Sequence, residues 1–249
     1  MIRLHLLDAA DPVANFPDPR TALREPNGLL AFGGDLSVAR LLAAYGQGIF
    51  PWFNEGDPIL WWSPDPRCVF RTDELKPNRN LRRLLARHAW QVTVDHAFAA
   101  VIDACAAPRK GKAGTWLVPA MREAYCTLHA LGHAHSVEVW DGERLVGGIY
   151  GVAIGKLFCG ESMFSRESGG SKVALNALAA LLRAWDFPLL DAQVANPHLL
   201  GLGAREMPRT DFLQQVAQLS REPGRVGNWS ARGLELLEDM PARSADGSN

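Results

Sequence analysis

The clearest alternation of apolar and polar positions lies between His135 and Phe164. The runs HSVEVW, RLVGGIYGVA and LFCGESMF are separated by the turn-forming triplets DGE and IGK. This pattern predicts a three-stranded antiparallel meander with tight turns. The period then changes. In SGGSKVALNALAALLRAW the apolar residues recur at helical spacing, with Ser168 or Ser171 as the cap and Lys172 in the first turn. PLLDAQV predicts a short buried strand and HLLGLGA a short helix. Meander, long helix, strand and helix make an α+β arrangement with a mixed, mostly antiparallel sheet.

Upstream, a helix is predicted from about His96 to Ala106. Before it, LKPNRNLRRLLARHAW separates its charges from its leucines. At helical spacing Lys76, Arg79, Arg82, Arg83 and Arg87 share one face, and Leu81, Leu84, Leu85 and His88 the other. No acid interrupts the run between Glu74 and Asp95, which favours a phosphate-backbone contact surface over an ordinary solvated face. Arg109, Lys110 and Lys112 extend it. The first ~65 residues differ, since FPDP, EPNG, FGGD, FPWF and SPDP write loops into them. One short helix is predicted there, capped by Asp35 or Ser37 and carrying Leu41, Leu42 and Tyr45 before Gly46 and Gly48. The expected division is a small aromatic-rich N-terminal domain at 1–67, a larger domain at 68–222 and a frayed extension at 223–249.

Composition narrows the classes. The 249 residues, 47% hydrophobic and 21% charged, are ordinary for a soluble globular protein with a sizeable core. With a net charge of −1, an anionic partner must be held by a local patch. The opening MIRLHLLDAADP is too short and too interrupted for a signal peptide, and no run is long enough to span a bilayer. A cytoplasmic protein is expected, with no membrane partner. Cys68, Cys105, Cys126 and Cys159 form no CxxC pair, which excludes a zinc ribbon and a thioredoxin motif and leaves them as small buried hydrophobes.

Candidate chemistry concentrates in three stretches. GESMF approaches the GxSxG nucleophile elbow, but Phe164 occupies the final glycine position and no helix starts at Ser162. His129, His133 and His135 lie in HxxxHxH, which lacks the HExxH metal motif; no metal site is expected. RESGGS, between a strand and a helix start, fits either plain capping or an anion loop resembling the RxxGxG/A element of acyl-CoA N-acetyltransferases. In LLDAQVANPH, alternation puts Asp191 and Gln193 on one face of a buried strand, where polar groups must be satisfied or used. The same alternation places Glu161 with Cys159 and Met163. Tyr45, Phe50, Trp52, Phe53, Trp61 and Trp62 crowd close to the basic helix, a combination used to bind single-stranded nucleic acid.

Together these stretches resemble the leucyl/phenylalanyl-tRNA–protein transferases. FPDPRTALREPNGLLAFGGDLS, RLLAAYGQGIFPWF, PILWWSPDPR, GHAHSVEVW, LVGGIYGVAIGKLFCGESMFS, SKVAL and LLDAQVANPHLLGLGA carry the resemblance. It implies an acetyltransferase-like (GNAT) fold for the larger domain and no cofactor. It implies transfer of Leu or Phe, less readily Met, from aminoacyl-tRNA to proteins beginning with Arg or Lys, marking them for N-degron proteolysis. By the same resemblance, Asp191 and Gln193 handle the incoming amino group, and Trp52, Trp116 and Glu161 surround the terminal adenosine. Phe158, Met163, Ile149, Leu175, Leu178, Leu182 and Leu190 line the acyl pocket, and the basic helix holds the acceptor stem. The family carries aromatics at the positions of Leu178 and Leu182 and methionine at that of Ile149; the replacements here reshape the pocket and keep it apolar. A solvated Asp near pKa 4 is a poor base for an amine near 8, so Asp191 is expected to orient the ammonium. An acyl-CoA N-acyltransferase of the same fold and a non-catalytic RNA-binding module are the alternatives.

Overall fold

The computed structural model of the chain describes residues 4–10, 16–107 and 117–230. Its strands form two sheets. The first contains β1 (His5–Leu7), β2 (Leu29–Gly33), β3 (Phe50–Pro51) and β4 (Leu60–Trp62) in the order β1-β2-β4-β3. The second contains β5 (Arg67–Arg71), β6 (Gln91–Val94), β7 (Ala134–Asp141), β8 (Arg144–Ile154), β9 (Leu157–Ser165), β10 (Leu189–Gln193) and β11 (Arg205–Met207). Its order is β11-β5-β10-β9-β8-β7-β6, antiparallel throughout except for the parallel β10–β9 pair. The helices are α1 (Val38–Tyr45), α2 (Arg79–Arg87), α3 (Phe98–Ala106), α4 (Pro119–Ala130), α5 (Gly170–Ala184), α6 (Pro197–Gly201) and α7 (Arg209–Leu219). The protein is therefore α+β with mixed sheets.

The meander forms as its alternation requires, with Gly142 and Gly155 supplying the left-handed backbone at the two turns (φ 60° and 56°). The long helix is seated differently from expectation. Neither Ser168 nor Ser171 caps α5; its N-cap is Gly169, at φ 94°. A Cβ on Gly170 would lie 2.6 Å from the Val146 carbonyl oxygen, so the helix start rests directly on the β8 backbone. The Ser171 amide donates to Ser165 Oγ at 2.8 Å. The glycines of RESGGS thus serve close packing, and a side chain already takes up one free amide at the helix start.

The basic helix is shorter than its pattern implied. Asn78 is its N-cap, accepting from the Leu81 amide at 2.9 Å, so Lys76 precedes the helix. Arg79, Arg82, Arg83 and Arg87 are exposed. On the other face only Leu81 is buried and Leu84 half-buried; Leu85 is exposed, and His88 stacks on Trp90. A single-sided leucine seam is thus reduced to two residues packed toward α5.

Glu222 and the residues after it are Gly-, Pro- and charge-rich, yet the described part of that segment is anchored. Trp229 is 3% exposed and stacks on His135 with ring centroids 3.6 Å apart. Its amide donates to Asp95 Oδ2 at 2.8 Å, and the Gly227 amide donates to the Gly132 carbonyl. Trp185, Phe187 and Phe158 complete an aromatic cage around it. Replacing Trp229 by Ala should lower stability by about 3–5 kcal/mol, measured as a shift in the denaturant midpoint. A shift near zero would mean that the segment is loose in solution.

Candidate active site

The site is built where β9 and β10 part. The two strands pair in parallel from Leu157–Leu189 to Cys159–Asp191 and no further. At that point each carries an irregularity. On β9, Tyr150 pairs with Ser162 and Gly151 with Gly160, so Glu161 is the extra residue of a bulge. On β10, Asp191 pairs with Val69 and Gln193 with Cys68, which leaves Ala192 extra and puts Gln193 at φ 62°. Bulges re-aim side chains, and these two sit side by side. They turn Gln193 toward Glu161, and Gln193 Nε2 donates to Glu161 Oε1 at 2.7 Å.

The bulges also correct the face assignments that strict alternation predicts. Met163 packs with the cluster containing Phe158 and Leu190, whereas Cys159 belongs to the cluster on the other side of the sheet. Asp191 follows Cys159 and does not share the cavity with Gln193. Period-2 logic fails here because one added residue per strand reverses every side chain beyond it.

A continuous hydrogen-bonded chain links six residues. Arg67 grips Asp191 with two bonds, Nε to Oδ1 at 2.8 Å and Nη2 to Oδ2 at 2.7 Å. Both residues are 1% exposed. Arg67 Nη1 also donates to the Gly48 carbonyl at 3.1 Å, and the guanidinium lies between the rings of Phe50 and Phe212. Asp191 Oδ1 accepts the Gln193 amide at 2.9 Å. Beyond Gln193, Glu161 Oε2 accepts from the Tyr125 hydroxyl at 2.6 Å, and the Tyr125 and Tyr45 hydroxyls are 2.8 Å apart. Burial pushes the Glu161 carboxyl up to about 7, against the pull of the Tyr125 and Tyr45 hydroxyls. Burial and the facing Glu161 raise Tyr45 and Tyr125 well above the usual phenol range, so both keep their protons to donate.

Beside this chain opens a cavity of about 980 Å³. Its polar rim includes Glu161, Gln193, Asn196 and His198, and its apolar wall includes Ile149, Met163, Leu175 and Leu190. Of the residues expected in the pocket, Phe158, Leu178 and Leu182 do not line it; each is at most 1% exposed, in the core behind the wall. Trp52, directly after β3, is 44% exposed, tilted against Trp62, and does not line the cavity. Trp116 lies outside the described residues, as do Arg109, Lys110 and Lys112. Of the histidines, His129 stacks on Phe98 and His135 bonds to Asp95.

Arg67, Tyr125 and the cavity role of α6 went unanticipated. Arg67 ends the quoted run PILWWSPDPR, where it reads as a domain boundary; its partner lies 124 residues away. Tyr125 lies on α4, where Met121, Tyr125 and Leu128 recur at helical spacing and mark a buried face, but nothing local marks the hydroxyl as a partner of Glu161. Removing one partner of a buried, doubly bonded ion pair leaves an uncompensated charge. Arg67→Met should therefore cost about 3–5 kcal/mol in urea unfolding, and the double variant Arg67→Met, Asp191→Leu much less. Equal losses in both would show that packing around Phe50 and Phe212, not charge compensation, sets the value.

The family model described as leucyl/phenylalanyl-tRNA protein transferase matches residues 69–217, and the model of that family's N-terminal domain matches residues 34–65. A leucyl/phenylalanyl-tRNA–protein transferase of Xanthomonas axonopodis pv. citri (strain 306) is 62% identical over 228 residues, 91% of each chain. That of Xylella fastidiosa (strain M12) is 58% identical over 238 residues, 95% of this chain and 98% of the relative. Among solved structures, a functionally unknown conserved protein from Staphylococcus epidermidis ATCC 12228 aligns over 72% of this chain and 68% of its own. The identity is 11% and the TM-score 0.40, too remote to bear on the fold.

Proposed function

This chain belongs to the leucyl/phenylalanyl-tRNA–protein transferase family, and from that premise we propose that it moves leucine or phenylalanine from aminoacyl-tRNA to the terminal amino group of proteins beginning with Arg or Lys. The observation that carries this reading is the cavity at the parting of β9 and β10, apolar on one wall and rimmed by Glu161 and Gln193. An acyl side chain has an apolar wall to occupy, and the ester it hangs from meets hydrogen-bonding groups. The product would be a substrate for N-degron proteolysis in the cytoplasm; among the described residues no helix is long and apolar enough to cross a membrane. A single parallel pair that opens within an otherwise antiparallel sheet supports a GNAT-like larger domain from residue 68 to 222, with residues 1–67 as a smaller one.

In this reading Glu161 and Trp52 face the terminal adenosine, Trp52 through its exposed ring, and Trp116 joins them. Ile149, Met163, Leu175 and Leu190 touch the acyl side chain, and Phe158, Leu178 and Leu182 set the wall's position from behind. Asp191 and Gln193 handle the incoming amino group, with Asp191 acting through the Gln193 amide it fixes. Arg79, Arg82, Arg83 and Arg87 on α2, with Lys76 just before it, hold acceptor-stem phosphates.

Incubation with radiolabelled Leu-tRNA and a peptide beginning with Arg or Lys should label the peptide; an unlabelled peptide overturns the reading. Reversing the charge of Arg79, Arg82 and Arg83 should weaken tRNA binding. It should also lower the slope of log K against log salt by about 0.7–0.9 for each lost phosphate contact. An unchanged slope would remove α2 from the interface.

A further inference from the structure

The incoming amine is an ammonium at neutral pH and must lose a proton before it can attack the ester. Two carboxylates stand within the same chain, and their surroundings differ. Both oxygens of Asp191 are engaged by the Arg67 guanidinium, and Oδ1 also accepts the Gln193 amide. Asp191 is 1% exposed and does not line the cavity. Glu161 does line it. Its oxygens accept from neutral groups, the Tyr125 hydroxyl and the Gln193 side-chain amide. Asp191 thus has its charge paired and presents no oxygen to the cavity, whereas Glu161 lies on the cavity lining with no cation among the described residues bonded to it.

We infer that Glu161 takes the proton from the acceptor's terminal ammonium, and that Asp191, with Arg67, acts only by positioning Gln193. The inference rests on the aminoacyl-transfer reading. A group beside the terminal ribose is also beside the ester that the ribose carries, so contact with the adenosine and proton transfer fit one location. Glu161 accepts one proton and leaves a neutral amine. The amine nitrogen bonds to the ester carbonyl carbon, and the bond from that carbon to the ribose oxygen breaks. The second proton lost by the nitrogen passes to the departing oxygen, and Glu161 releases the first to solvent.

The groups facing Glu161 are Tyr45 from α1, Tyr125 from α4, Tyr150 from β8, Cys159 from its own strand, Asp191 from β10 and Arg67 from β5. Arg166, Cys105 and His198 line the same cavity. Burial and the nearby Asp191 carboxylate raise Glu161 to about 7, against the Tyr125 and Tyr45 hydroxyls and the Arg67 charge. Proton transfer from an amine near 8 is then unfavourable by about tenfold, against about 10⁴-fold for an ordinary carboxylate.

The test is single-turnover transfer from bound Leu-tRNA to a saturating Arg-initiated peptide between pH 5.5 and 8.5. The wild-type rate should rise with pH and bend near 7, as Glu161 ionises. Glu161→Gln should lose about 10²–10⁴-fold and show no bend near 7, climbing only with the free-amine fraction. Because Glu161→Gln also puts an amide nitrogen against the Tyr125 or Gln193 donor, Leu-tRNA affinity is measured separately, and the rate is read with Leu-tRNA fully bound. Glu161→Ala should regain rate saturably with added formate. Asp191→Asn should be slower yet keep the bend. A Glu161→Gln profile that retains the bend, or formate rescue of Asp191→Ala in place of Glu161→Ala, overturns the assignment. Wild-type enzyme that transfers no label refutes the aminoacyl-transfer reading itself, a separate result.

Discussion

The buried bond between Arg67 and Asp191 is the constraint on which the rest of the site depends. Taking two charges out of water is expensive, and only close geometry with every remaining donor satisfied offsets it. Here the guanidinium uses Nε and Nη2 on Asp191, Nη1 on the Gly48 carbonyl and its faces on Phe50 and Phe212. These partners come from the loop after α1, from β3, from β10 and from α7. One side chain therefore ties the smaller sheet's surroundings to the centre of the larger sheet. Separating Arg67 from Asp191 would leave both charges without compensation, so Asp191 is held in place, and the Gln193 backbone amide bonded to it is fixed as well.

From that fixed point the cavity follows from two added residues. Parallel strands that stayed in register would continue their ladder and close the gap between them. The bulges at Glu161 and Ala192 end the pairing after Asp191 and Cys159 and turn two polar side chains to meet across the opening. The apolar wall then divides into residues that touch the space, such as Leu175 and Leu190, and residues that support them, such as Leu178 and Leu182. Substitution in the supporting layer changes the shape of the space by moving its neighbours, while its chemistry stays apolar.

Local patterns revealed some of this and concealed the rest. The meander, α5 and the cationic face of α2 were legible because each is written within a single stretch, as alternation, helical period or a run of one charge sign. Strands β1 to β6 were not, since all six hold only two to five residues, and Pro and Gly crowd β2 to β5. Helices α4 and α7 are written at helical spacing, Met121, Tyr125 and Leu128 in one and Phe212, Leu213, Val216 and Leu219 in the other, but no capping side chain marks the start of either. Asp191, Gln193 and Glu161 were legible as polar residues in apolar runs, and the family resemblance gave them roles. Their arrangement was not legible. A bulge leaves no mark in an alternating sequence, and the Arg67 partner of Asp191 is remote along the chain. Trp229 shows the same limit, because residues 222–230, which look loose by composition, are held by one aromatic side chain and by the Trp229 and Gly227 amides, bonded to Asp95 and Gly132.

Asp191 and Glu161 are both buried carboxylates in one hydrogen-bonded chain, and their partners and their place relative to the cavity distinguish them. The guanidinium beside Asp191 pairs its charge and holds both of its oxygens, which suits a part that must not move. The hydroxyl and amide beside Glu161 orient it without neutralising it. Gln193 stands between the two, bonded to one through its backbone and to the other through its side chain. An amide neither gains nor loses a proton near neutral pH, so it transmits position from Asp191 and passes no charge. The exchange of Gln193 for a titratable residue would join the two acids into one coupled pair. Keeping an amide there lets one carboxylate serve as a structural anchor while its neighbour stays free to change its protonation state.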